Sequence, residues 1–147
     1  MTATKPFTLD TVLHYRERLE TLAQEALSVA RRAEDKVKEE LKKKHQAYGF
    51  LASHITTIQE QGVAINELIS QEEHLAFIKN EISELEQVLA EKKKQVQKSH
   101  TLLVEKSKQR QVMEKLKERQ NVAWKQHLDK KEAAMLDEMA IVFHDRK

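Results

Sequence analysis

The chain of 147 residues has no cysteine, a single proline (Pro6) and two glycines (Gly49 and Gly62). Without cysteine there is no disulfide, thiolate metal ligand or thiol nucleophile, and the composition fits a reducing compartment. Beyond Pro6 nothing interrupts a helix by lacking a backbone donor. Two isolated glycines cannot build a loop that cradles phosphate. Aromatic residues make up only 5% of the chain, too little bulk for a compact globule. No apolar run reaches the ~18 residues of a membrane span. Met1 to Pro6 has no apolar signal core, so a soluble intracellular protein is expected.

What is present is mostly Ala, Glu, Lys, Leu and Gln, with 34% charged residues. That mixture belongs to coiled coils and long helices. The formal net charge of +2 conceals a segregation. Lys and Arg against Asp and Glu number 10 and 8 in residues 1–59, 1 and 7 in 60–90, 10 and 4 in 91–119, and 5 and 5 in 120–147. An acidic stretch is therefore followed by a basic one. Charge blocks of this kind most often mark a solvated helix face.

A first helix is expected over about 9–60. Thr8 or Asp10 can accept from its first free amides, with Pro6 placed harmlessly before it. Its apolar stations run Val12, Tyr15, Leu19, Leu22, Ala26, Val29, Ala33, Val37, Leu41, Tyr48, Leu51, Ile55 and Ile58. The steps alternate three and four except for consecutive fours from Val29 to Leu41, which reads as a stutter that unwinds the supercoil locally. Lys44 is the polar station, and burial of Tyr48, Phe50 and Leu51 offsets the cost of Gly49, about 1 kcal/mol against Ala.

A bend is expected over about 61–71, with Gly62 as the left-handed cap, a short helical turn at Val63–Ile69 and Ser70 capping the next helix. The second helix is expected over about 72–143, carrying Leu75, Ile78, Ile82, Leu85, Leu89, Val96, Leu103, Met113, Leu116 and Ala123. At about 1.5 Å per residue it spans on the order of 110 Å and outruns the first. The fold expected is thus all-α, one domain over 1–147: a long two-helix antiparallel coiled-coil hairpin with a longer C-terminal helix. With the bend centred near Asn66, Phe7 faces Trp124, and Lys42–Lys44 face Lys92–Lys94 in a basic band.

Catalysis needs groups gathered in a cleft with shifted pKa values, and a two-helix hairpin offers no cleft. The seven histidines (His14, His45, His54, His74, His100, His127 and His144) include no pair at a helical metal-binding spacing of three or four. No enzyme, cofactor or metal site is expected. The basic 91–119 segment has no aromatic residue for base stacking, so nucleic-acid binding ranks below protein binding. The apolar seams are narrow, which argues against a helix lying on a membrane.

Two stretches go beyond a generic coiled coil. Phe7-Thr8-Leu9-Asp10-Thr11-Val12-Leu13-His14-Tyr15-Arg16, followed by Glu20, resembles the opening of the bacterial flagellar FliJ family. Met113-Glu114-Lys115-Leu116-Lys117-Glu118-Arg119-Gln120, then Glu132, Leu136-Asp137-Glu138-Met139-Ala140 and Arg146, resembles its C-terminal half. The resemblance implies a non-enzymatic stalk of the flagellar type III protein export apparatus, cytoplasmic and peripherally associated with the inner membrane without inserting into it. It implies as partners the export ATPase FliI, the export-gate protein FlhA, the ATPase regulator FliH and export chaperones, which it would help to recycle. Carried onto this chain, the contact with the ATPase ring would use Leu13, Arg16, Glu17, Leu116, Arg119, Gln120, Trp124, Asp137, Glu138 and Arg146. The contact with the gate would use Phe77, Ile78, Glu81, Ile82 and Leu85, although Ile78, Ile82 and Leu85 also suit the helix seam. Phe77 lies off that seam. The alternatives are the similar stalk of a virulence secretion system, or a coiled-coil scaffold or chaperone that captures helices along its length.

Overall fold

A computed structural model describes residues 9–145. Phe7 and Arg146, named above, lie outside them. The described residues form two α-helices, α1 (Asp10–Gln61, 52 residues) and α2 (Ile65–Asp145, 81 residues), and no strand. The fold is the all-α antiparallel hairpin with the longer second helix. Asp10 lies in the first turn of α1 and Glu67 in that of α2, where a carboxylate suits the helix dipole.

The bend is tighter than the composition of 61–71 implies. Gly62 adopts φ of 83°, the left-handed conformation that ends α1. The connection is Gly62, Val63 and Ala64, and the Leu68 amide already donates to the Ala64 carbonyl at 3.1 Å. Ser70 therefore lies inside α2 and caps nothing. Of the apolar run Val63–Ile69, the residues from Ile65 onward form the first turn of α2: Leu68 packs on the core while Ile65 and Ile69 stay exposed.

Contacts group the chain into two compact units. The bend unit is Ala23–Leu102; the terminal unit joins the residues up to Leu22 to those from Leu103 onward. The bend unit holds a core of Leu51, Ile55, Ile78 and Ile82, with Leu41, Tyr48, Leu68 and Leu75 against it. Leu13 is the buried hydrophobic residue of the terminal unit among the described residues.

Burial resets the seam of α1. The buried and half-buried residues include Leu13, Arg16, Glu20, Ala23, Leu27, Ala30, Glu34, Val37, Leu41, Lys44, Tyr48, Leu51, Ile55 and Ile58. Their steps alternate three and four without a break, so the expected stutter is absent. Between Val12 and Val29 the expected stripe was one residue early, which is a rotation of about 100°. Val12, Tyr15, Leu22 and Val29 are exposed, and so is Phe50. The seam was hidden because Arg16, Glu20, Ala30 and Glu34 occupy it. On α2 the matching series is Leu68, Gln71, Leu75, Ile78, Ile82, Leu85, Leu89, Lys92, Val96 and Ser99 in the bend unit. It continues as Leu103, Lys106, Arg110, Met113, Lys117, Gln120 and Trp124 in the terminal unit.

The register follows from the bonds that cross between helices. Lys44–Glu81, Arg16–Gln109, Asp10–Lys117 and Glu20–Arg110 join residues whose numbers add to 125, 125, 127 and 130. The seam stations of both helices interlock at 126, centred on Val63, whereas a bend centred near Asn66 gives 132. The expected basic band therefore does not form: Lys44 binds the Glu81 carboxylate at 2.6 Å, and Glu34 and Lys92 occupy facing stations.

The two glycines should respond oppositely to alanine. A Cβ on Gly49 meets nothing within 4 Å in a regular helix, so Gly49→Ala is expected to stabilise by roughly 0.5–1 kcal/mol. At Gly62 the positive φ makes Ala costly, by about 1 kcal/mol. Urea unfolding followed by circular dichroism reads both signs. Ile82→Ala, in the bend-unit core, should cost about 2–5 kcal/mol in the same assay.

Candidate functional site

The candidate sites are surfaces, one on each unit. In the terminal unit polar contacts between described residues tie α1 to α2. The Arg110 guanidinium donates to the carboxylates of Glu20 and Glu114, each at 2.7 Å. Arg16 donates to the Gln109 side-chain oxygen at 2.7 Å, and Lys117 to Asp10 at 3.3 Å. Glu20 and Arg110 are mostly shielded, with side-chain exposures of 15% and 23%. The hydrogen bond from Arg110 holds the Glu20 carboxyl below its ordinary range, while Glu20 raises the Arg110 guanidinium.

Of the proposed ring-contact residues, Leu13 lies in the core, and Arg16 and Glu17 are half-buried. Leu116 and Arg119 are exposed on α2, and Gln120 and Trp124 are half-buried further along it. The Trp124 ring stacks on His127 with centroids 5.5 Å apart. From Asp129 to Asp145 every residue of α2 is exposed, including Asp137 and Glu138. The described part of α1 begins at Asp10, which the register sets against residue 116, so this stretch runs past its described partner. Met135, Leu136, Met139, Ile141, Val142 and Phe143 are 50–62% exposed on it.

In the bend unit, Ile78 and Ile82 are consumed by the core, Leu85 is half-buried in the seam, and Glu81 is engaged by Lys44. Phe77 is 61% exposed. Sequence reasoning missed Phe50, which is 79% exposed. Phe50 and Phe77 each lie two residues after a seam station, Tyr48 and Leu75, and their numbers add to 127. They therefore sit level, on the same side of the helix pair. The signal that would have found Phe50 is its place in the unbroken heptad.

These surfaces sit on an all-helical hairpin whose second helix is the longer, an architecture of adaptor type. The chain belongs to the flagellar FliJ protein family, whose model matches residues 4–147. That family consists of non-catalytic adaptors associated with the type III export apparatus. The structure is similar to that of a protein of Chlamydia trachomatis described as a homolog of YscO, with a TM-score of 0.59 and 16% identity. The match covers 98% of this chain and 96% of that one, and it shows a shared fold. No curated protein matches the chain. No helix among the described residues is long and apolar enough to cross a membrane.

The Glu20–Arg110 pair fixes a pH dependence. A carboxyl whose folded-state pKa is depressed stabilises the fold above its ordinary value, here 4.5, and loses that contribution as the pH falls through the lowered one. Wild-type melting temperature should therefore decline below about pH 4.5, and Glu20→Gln should flatten that decline while lowering stability at pH 7. Thermal melts from pH 7 to pH 3 would measure it.

Proposed function

We propose that the chain is the non-enzymatic stalk of the flagellar export apparatus, coupling the ATPase FliI to the export gate FlhA at the cytoplasmic face of the inner membrane. FliH and the export chaperones are its further partners, the latter through their recycling. The observation that carries the reading is the C-terminal stretch of α2, residues 129–145, exposed on every side. A helix bared over some seventeen residues of mixed charge and apolar side chains suits the bore of a ring, where polar contacts exchange as the ring cycles. A purely apolar surface would bind too tightly to turn over. Arg119, Asp137 and Glu138 are the accessible polar candidates, with Leu116 beside them and Arg146 beyond the described residues; Leu13 supports them from the core.

Gate contact is assigned to Phe77 with its level neighbour Phe50. Exposed aromatics anchor interfaces because they bury a large area for few lost rotamers. The match to the flagellar family favours this branch over the virulence stalk, since the similarity to the YscO homolog speaks for fold alone.

Full-length protein should raise ATP hydrolysis by the cognate hexameric ATPase at one chain per ring, and removal of residues after Lys131 should abolish the effect. Unchanged turnover with the full chain would overturn the stalk reading. Phe77→Ala should weaken capture of the gate's cytoplasmic domain about tenfold, as expected for an interface anchor, with helicity unchanged. A loss of helicity would instead assign Phe77 a packing role.

A further inference from the structure

The terminal unit leaves two apolar stripes uncovered. One flanks the outer groove between its helices: Val12, Tyr15 and Leu22 on α1 with Val112 and Leu116 on α2, 37–57% exposed. Val12, Tyr15, Leu19 and Leu22 repeat at three, four and three residues, the spacing of a seam that expects another helix. The second stripe lies on the overreaching end of α2, where Met135, Met139 and Val142 are 50–56% exposed and repeat at four and three, the same spacing running back through Glu132 to the half-buried Leu128. Exposed apolar surface of this extent and order marks a contact. The chain cannot cover one stripe with the other, because α2 is unbroken to Asp145 and carries its end away from the groove.

We propose that a second copy of the chain covers them, in a reciprocal two-fold dimer. In each copy the end of α2 lies in the groove of the other, antiparallel to that copy's α2. The register places the groove, residues 12–22 of α1, level with about 104–114 of α2. Setting Met139 over the middle of that span makes paired α2 residues add to about 248 and puts the two-fold axis at Trp124. The same setting lays residues 128–143 over about 105–120 in both directions, so both stripes of both copies are covered at once and the assembly closes. It also sets Asp129 opposite Arg119, which lies on the groove side of α2, pairing opposite charges at the edge of an apolar contact. The inference goes beyond the stalk reading and needs neither ATPase nor gate. Ring entry would compete with dimerisation, since both use the same stretch of α2.

Sedimentation velocity on the full-length chain across the micromolar range tests it. A concentration-dependent dimer is expected, and Met139→Glu and Val12→Glu, at exposed positions, should each return the chain to monomer with helicity unchanged. The native chain has no cysteine, so Ala123→Cys, beside the axis, should give a disulfide-linked dimer on mild oxidation, several-fold above Ser53→Cys in the bend unit. A wild-type chain that stays monomeric would assign the stripes to a different protein and overturn the proposal. A dimer that survives both glutamate variants would place the interface elsewhere and overturn it equally. Neither result bears on ATPase stimulation, which is measured separately.

Discussion

Much of the structure depends on one constraint: a helix in a two-stranded coil can turn only one stripe inward, and that stripe must stay in step along its length. α1 carries two candidates. One, through Val12, Tyr15, Leu19, Leu22, Ala26 and Val29, is the more apolar. The other passes through Leu13, Arg16, Glu20, Ala23, Leu27 and Ala30 and is the one buried. The buried stripe joins Val37, Leu41 and the stations to Ile58 in an unbroken three-four alternation, while the outer stripe could do so only through a stutter. Continuity therefore outweighs local hydrophobicity. Partial burial of Arg16 and Glu20 is tolerated because α2 supplies Gln109 and Arg110 at the matching level.

The consequence is a division of labour between the units. In the bend unit the seam is held by Leu51, Ile55, Ile78 and Ile82, a core that is non-directional and strong. In the terminal unit Leu13 is joined by charge-assisted contacts at Glu20–Arg110 and Asp10–Lys117, which are geometrically specific but worth less when partly solvated. The apolar side chains that the terminal seam does not use are left on its surface. This is also the region with the most exposed hydrophobic residues that would serve for contact with other proteins.

The fold was readily legible. The scarcity of glycine and proline, the charged composition and the long helical periodicity define two helices and a bend at Gly62. The site was legible only in part. Phe77 stood out because it is a large aromatic lying off the seam of α2, and it is exposed. Phe50 did not, because beside Gly49 and Leu51 it looked like core. The polar seam at Arg16, Glu20 and Arg110 was invisible to a search for apolar stations, since each residue gains meaning only from the one opposite it.

The sequence by itself determined that this chain is helical, that it folds back once, and that it belongs among the flagellar FliJ proteins, because backbone propensity, heptad period and motif order are properties of neighbours along the chain. Tertiary structure decided the register, and with it which of two stripes is core and which is surface. A shift of the sum from 132 to 126 dissolved the lysine band into a Lys44–Glu81 pair and brought Glu20 to Arg110. Such pairings join residues some forty to a hundred positions apart, and only the packed helices specify them.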